Sequence, residues 1–209
     1  MAAALVDAPV KSRVPPLVAG DNLTRDEFER IWALHPEIKR AERLNGIVYL
    51  EMSVSPDHGV GHSHAHGWLF TYVAGRPELE IGDNTTVRLG DDDLQPDLYL
   101  RRKDAGTSTR TSQAINGPPE LIFEVAVSSA AYDLHQKREI YERGGVQEYI
   151  VWQLFDQRLD WLELAGGRYR RREPDSSGVI ESSQFPGLRL HVPSLLHGDI
   201  QGLLAGLNG

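Results

Sequence analysis

The chain is predicted to be an α/β protein built around a mixed β-sheet, and three observations carry that prediction. Helical and strand patterns interleave along its 209 residues. Two short apolar-rich runs meet at Asn45-Gly46, and two more at Gly166-Gly167, pairs of residues that suit tight hairpin turns. The segments 121–127 and 149–154 read as buried strands separated by one helical pattern. Hairpins introduce antiparallel pairs, so a uniformly parallel sheet is not expected.

Residues 1–22 form a loose N-terminal arm in this reading, Ala-, Val- and Pro-rich in its first 20 residues, and 23–209 form a single domain. Thr24 and Glu27 have the spacing of a capping box. Phe28, Ile31 and Trp32 follow at helical spacing, predicting a helix over about 25–34 that Pro36 ends. A hairpin of 41–44 and 47–50 comes next. A second helix is expected from near His58 or Gly61 to Ala74, closed by Gly75 and Pro77. Residues 85–89 and 98–100 read as strands joined by an acidic turn, Asp91-Asp92-Asp93. The Ser-, Thr- and Gly-rich stretch 103–119 reads as a long mobile loop.

After the strand at 121–127, a helix is expected over about 131–143, capped by Ser128 and stopped by Gly144-Gly145. A strand at 149–154, a hairpin of 158–164 with 168–172, and a final helix over about 193–207 complete the chain. There is no internal repeat and no glycine-rich phosphate loop, so a nucleotide cofactor is not expected.

Composition narrows the function classes. With no cysteine, disulfides, thiolate metal sites and a cysteine nucleophile are excluded. No apolar run approaches the ~18 residues of a membrane helix, and the first residues lack a basic signal-peptide opening. The expectation is a cytoplasmic protein with no membrane partner. A formal net charge of −8 argues against a basic nucleic-acid coat but leaves room for local patches. Arg101, Arg102, Lys103 and Arg110 form one such excess; Arg168, Arg170, Arg171 and Arg172 form another. Both also suit solvated surface.

Asp97 and Glu124, 27 positions apart, lie in or beside apolar strand patterns. A carboxylate there is costly to bury unless it is paired or binds a cation. Mg²⁺ prefers oxygen ligands and takes one or two carboxylates with water and phosphate. The pair could therefore hold it, with the Val125 carbonyl as a third oxygen. Asp133, Lys137 and Tyr141 fall on one helix face, and an amine there could orient a metal-bound water or stabilise developing charge. The plainer alternative is a surface ion pair of Asp133 with Lys137. His58, His62 and His66 are spaced four apart and invite a transition-metal reading. Gly59, Gly61 and Gly67, with no Glu completing a His-Glu-x-x-His pattern, favour polar histidines on a helix start instead. Ser128-Ser129 near His135 lacks a nucleophile elbow.

The motifs together resemble the Uma-type family of restriction-endonuclease-like proteins, a branch of the PD-(D/E)XK nuclease superfamily. The resemblance spans roughly residues 24–205. It runs through Glu42-Arg43-Leu44-Asn45-Gly46, the segment from Gly82 to Leu89, Gln95-Pro96-Asp97, Gly117-Pro118-Pro119-Glu120-Leu121 and Glu124-Val125-Ala126. It continues through the segment from Ser128 to Leu134, Lys137, Tyr141, Gly145-Val146-Gln147-Glu148-Tyr149 and Phe185-Pro186-Gly187-Leu188. It implies a restriction-endonuclease-like core, a mixed sheet flanked by helices with added hairpins. It makes Asp97 the acid of the PD motif and Glu124 its second acid. Position 126 is Ala where the superfamily carries its Lys, so that role moves onto Lys137. Glu42 matches an upstream Glu that helps hold metal or its waters, and His62 falls in a family-like position. The implied activity is a Mg²⁺- or Mn²⁺-dependent endonuclease acting on phosphodiester bonds of nucleic acid, DNA first, as a homodimer. A nuclease-like nucleic-acid-binding protein of weak catalysis, or a structural or regulatory one, is the alternative.

Overall fold

A computed structural model describes residues 14–50, 55–127 and 133–208 of the chain. Residues 1–13 of the expected arm, the Ser128 cap and the Asp133 side chain lie outside the described residues.

Helix α1 (Arg25–Trp32) begins with the capping box: the Thr24 side chain accepts from Glu27 N–H, and Glu27 accepts from Thr24 N–H at 3.0 Å. It packs Phe28 and Ile31 over the hairpin of β1 (Ala41–Leu44) and β2 (Ile47–Leu50). Asn45 and Gly46 both have positive φ, 52° and 83°, the geometry that a two-residue hairpin turn demands. Residues 14–22 are held and not loose: Leu17 is buried, and Gly20 N–H donates to the Val48 carbonyl at 2.8 Å.

Helix α2 (Pro56–Val73) starts with Ser55 accepting from His58 N–H and Pro56 in its first turn. Strands β3 (Leu79–Asp83), β4 (Val87–Leu89), β5 (Asp92–Leu94) and β6 (Leu98–Arg102) follow. The acidic run is therefore not a turn. Asp92 and Asp93 lie within β5 and are buried, because Arg25, Arg43 and Arg88 reach Asp93 and Arg143 reaches Asp92. Nor is 103–119 structureless, since β7 (Thr109–Arg110) and β8 (Ile115–Asn116) pair within it.

Strand β9 (Leu121–Ala126) leads to a π-helical turn at Asp133–Lys137 that continues as α3 (Arg138–Gly144). Then come β10 (Glu148–Gln153), β11 (Arg158–Ala165), β12 (Arg168–Arg172), β13 (Val179–Glu181) and β14 (Arg189–His191). The expected last helix is broken into α4 (Val192–Leu196), α5 (Ile200–Ala205) and a 3₁₀ turn at Gly206–Asn208. Asp199 restarts it by accepting from Gly202 N–H at 2.9 Å.

The central sheet has the order β12-β11-β10-β9-β6-β3, parallel only between β9 and β10. That parallel pair is the signature of a strand–helix–strand crossover through α3. One face carries Phe123, Val125, Ile150 and Trp152 against Trp68 and Leu69 of α2 and the C-terminal helices. The opposite face carries Ile122, Ala126, Tyr149 and Val151 against Ile140 and Tyr141 of α3 and a second sheet, ordered β2-β1-β5-β4-β8-β7. The chain is thus an α/β fold of mixed sheets flanked by helices.

Candidate active site

Strand parity brings the predicted acids together. Leu98 pairs with Phe123 in antiparallel register, so Asp97 comes level with Glu124 on the neighbouring strand. Both project on the face that α3 covers, the face of Tyr99, Ile122 and Ala126. The backbone cross-links them: Asp97 N–H donates to Glu124 Oε2 at 3.2 Å, and Val125 N–H donates to Asp97 Oδ2 at 2.8 Å. Asp97, Glu124 and Glu42 are each 3% exposed or less, so all three carboxylates must be compensated inside the protein.

Lys137 supplies part of that compensation. Its Nζ lies 3.0 Å from Glu124 Oε1 and 3.0 Å from Glu42 Oε1. Tyr141, one turn on in α3, donates its hydroxyl to the same Glu124 oxygen at 3.1 Å. Lys137 is buried, so it is a core cation and not half of a surface pair. Glu42 enters from β1 and also accepts Gln95 N–H at 2.7 Å, which ties the Gln95-Pro96-Asp97 segment to the hairpin.

Two further groups meet Asp97. His58 Nε2–H donates to Oδ2 at 3.1 Å, and Arg40 Nη1 lies 3.3 Å from Oδ1. Burial would raise the Asp97 pKa, but the His58 hydrogen bond and charge, the Val125 N–H and Arg40 together hold it at about 2. His62 Nε2–H donates to the Asp97 carbonyl at 3.2 Å. His58, His62, His66 and Phe70 stack along one side of α2, with ring centroids 6.0–6.2 Å apart. The helix lies close to β9 at Gly61, where a Cβ would stand 3.0 Å from Val125 Cγ1, so glycine sets how near His58 and His62 come to Asp97.

Neither Arg40 nor His58 stands out as an Asp97 partner from sequence position, 57 and 39 residues away. Two signals were nevertheless present. Arg40, just before β1, stands two residues from Glu42, and His58 and His62 share a helix face.

The basic run after Asp97 is placed elsewhere. Arg101 is buried and spends its guanidinium on Ser108 and Glu80, and Arg102 donates to the Gln184 carbonyl. Lys103 donates to the Pro77 carbonyl and Arg110 lies 3.5 Å from Glu80. Arg101 sits four residues along β6 from Asp97, roughly 13 Å at strand rise. These residues build structure at the far end of the strand.

Among the described residues, no group of three or more His, Asp or Glu side chains stands arranged around a metal position. The donor chemistry of the cluster still fits a hard divalent cation. Two buried carboxylates, Asp97 and Glu124, are the number Mg²⁺ takes from a protein. Glu42 joins them, and Lys137, Arg40 and His58 surround the three carboxylates.

A nuclease-type fold with an acid–acid–lysine centre is the class these features define. The chain belongs to the Uma2 family, described as "Putative restriction endonuclease", which matches residues 25–193. It is similar to a solved structure described as a putative nuclease belonging to DUF820 from Anabaena variabilis ATCC 29413. That likeness has a TM-score of 0.66 at 13% identity, over 88% of this chain and 99% of the other, and it shows a shared fold. No curated protein matches the sequence. The core is restriction-endonuclease-like, as the sequence motifs implied, and no helix among the described residues is long and apolar enough to cross a membrane.

Proposed function

We propose that the chain is a divalent-metal-dependent nuclease that hydrolyses phosphodiester bonds of nucleic acid, DNA first. The observation that carries this reading is the convergence of Asp97, Glu124 and Lys137 from two strands and a helix onto one buried point. Mg²⁺ or Mn²⁺ held by Asp97, Glu124 and the Val125 carbonyl would activate water and neutralise charge on the scissile phosphate. His58 and Arg40 keep the Asp97 carboxylate ionised and fixed in direction. Tyr141 fixes the direction of the Glu124 carboxylate through its hydroxyl. Lys137, 3.0 Å from Glu124, would donate to an attacking water or stabilise charge developing on the phosphate. Glu42, 3.0 Å from the same ammonium, holds it in place. Cutting both strands of a duplex calls for two such centres, which makes a homodimer the proposed working form.

The test is cleavage of single- and double-stranded DNA and RNA with Mg²⁺ or Mn²⁺, beside a chelated control and an Asp97→Asn variant. Metal-dependent cutting that the variant loses supports the reading. Cutting that survives Asp97→Asn sinks it, and metal-independent binding without cutting would make the chain a binding protein.

A further inference from the structure

The carboxyl ends of β9 and β10 continue the site sideways into groups the proposed chemistry does not use. Glu124 is level with Val151 on β10, and Val151 is level with Asp160 on β11. One step further along, Ala126, Gln153 and Arg158 are level in the same way. By strand parity all of these lie on the face of Asp97 and Glu124, as does Arg171 of β12, two residues from Tyr169.

Asp160 is buried, 3% exposed, yet its partners reach solvent. Its Oδ1 accepts Arg158 Nη2 at 2.8 Å and Nε at 3.3 Å, and lies 3.3 Å from Arg171 Nη1; Gln153 donates to Oδ2. The Arg158 and Arg171 side chains remain 52% and 40% exposed. Two guanidiniums thus share one buried anion. Arg171 Nε also lies 3.3 Å from the exposed Glu173, and its Nη2 donates to the Leu159 carbonyl at 3.3 Å. Arg158 nevertheless stays half exposed, and a planar guanidinium suits phosphate.

We propose that Arg158 and Arg171, aimed by Asp160 and Gln153, form a phosphate-binding site for the nucleic-acid strand beside the reacting bond. The proposal rests on the nuclease reading. Asp160 stands two strands from Glu124, about 10 Å at ordinary strand spacing. A strand carrying one charge per ~3.4 Å of axis reaches that point about three nucleotides from the bond cut. The arginines act on binding and register, and Asp160 is a positioning residue.

The experiment compares wild type with Arg158→Gln, Arg171→Gln and the double variant, each checked by thermal melting. Binding of a long labelled oligonucleotide is followed through a salt titration with Ca²⁺ in place of Mg²⁺, and steady-state cleavage is measured on the same oligonucleotide and on a dinucleotide. The double variant should lose roughly one to two in the slope of log affinity against log salt, the loss expected for one or two phosphate contacts. Its KM on the long substrate should rise about tenfold or more with kcat nearly unchanged. Dinucleotide cleavage should not move, and lysine at both positions should restore most of the salt slope. An unchanged slope and KM in the double variant, with wild type active, overturns the phosphate site and leaves the nuclease reading standing. A wild type that neither binds nor cuts nucleic acid removes both.

Discussion

Lys137 and Glu124, thirteen residues apart, form a fully buried ion pair with 3.0 Å between Nζ and Oε1. Such a pair is worth little when intact but is costly to break from one side, because the survivor stays buried and uncompensated. Lys137→Ala should therefore lower stability in chelator by about 3–5 kcal/mol, far beyond the ~0.3–0.5 kcal/mol of a surface helix pair. Millimolar Mg²⁺ should recover part of that loss by replacing the missing charge. Turnover should fall ~10²–10³-fold as a preorganised electrostatic group is removed. Thermal melts with and without metal, beside cleavage rates, check all three. An active Lys137→Ala protein would take Lys137 out of the mechanism.

Buried acids are not interchangeable here, and Asp93 is the control for Asp97. Asp93 is held by Arg25 and Arg43 at 2.9 and 3.1 Å, with Arg88 at 3.6 Å, between α1 and the second sheet. Asp93→Asn should cost about 3–5 kcal/mol of stability, yet leave kcat of the folded protein unchanged. Asp97→Asn should do the reverse to catalysis and abolish cutting. Denaturant melts and single-turnover rates on both variants separate the roles. An Asp93→Asn protein that folds but cannot cut would redraw the site.

The depressed Asp97 pKa has a pH signature. Its folded value of about 2 lies below the ordinary 3.8, so its ionised form favours the folded state. That contribution is fully present above about pH 4 and is lost as pH falls from 4 through 2, an order-of-magnitude effect of about 2 kcal/mol. Stability against pH for wild type and Asp97→Asn, in chelator, should give curves whose gap narrows as pH falls below about 4. A gap that stays constant as pH falls from 4 to 2 would contradict this assignment.

Tyr141→Phe removes only one hydroxyl donor from Glu124. The expected loss is about 0.5–1.5 kcal/mol of stability, with cleavage lowered a few-fold, since Lys137 still holds the same oxygen. A loss as large as that of Lys137→Ala would make the tyrosine a participant in the chemistry.

Much of this architecture was legible because its causes are local. The Thr24–Glu27 box and the Asn45-Gly46 turn depend on neighbours within three residues, and both formed as expected. Asp97 and Glu124 stood out because a carboxylate in an apolar strand pattern is an energetic anomaly. The Asp91-Asp92-Asp93 run misled for the opposite reason. A charge run reads as solvated unless one knows that Arg25, Arg43 and Arg88 arrive from distant elements to neutralise it. Strands β7 and β8 have two residues each, too short for any periodicity to register. Basic composition likewise could not say which end of β6 Arg101 would occupy.

Carrying the site's lysine on the helix, rather than two residues from Glu124 on the strand, also changes when the site comes into being. A lysine on the same strand would stand beside its acid as soon as that strand existed. Here the charge arrives only when the turn at Asp133–Lys137 and α3 dock against β9, and Glu42 only when the first hairpin closes over them. During refolding, catalytic competence should therefore appear with the last tertiary phase, after sheet formation is complete by backbone probes.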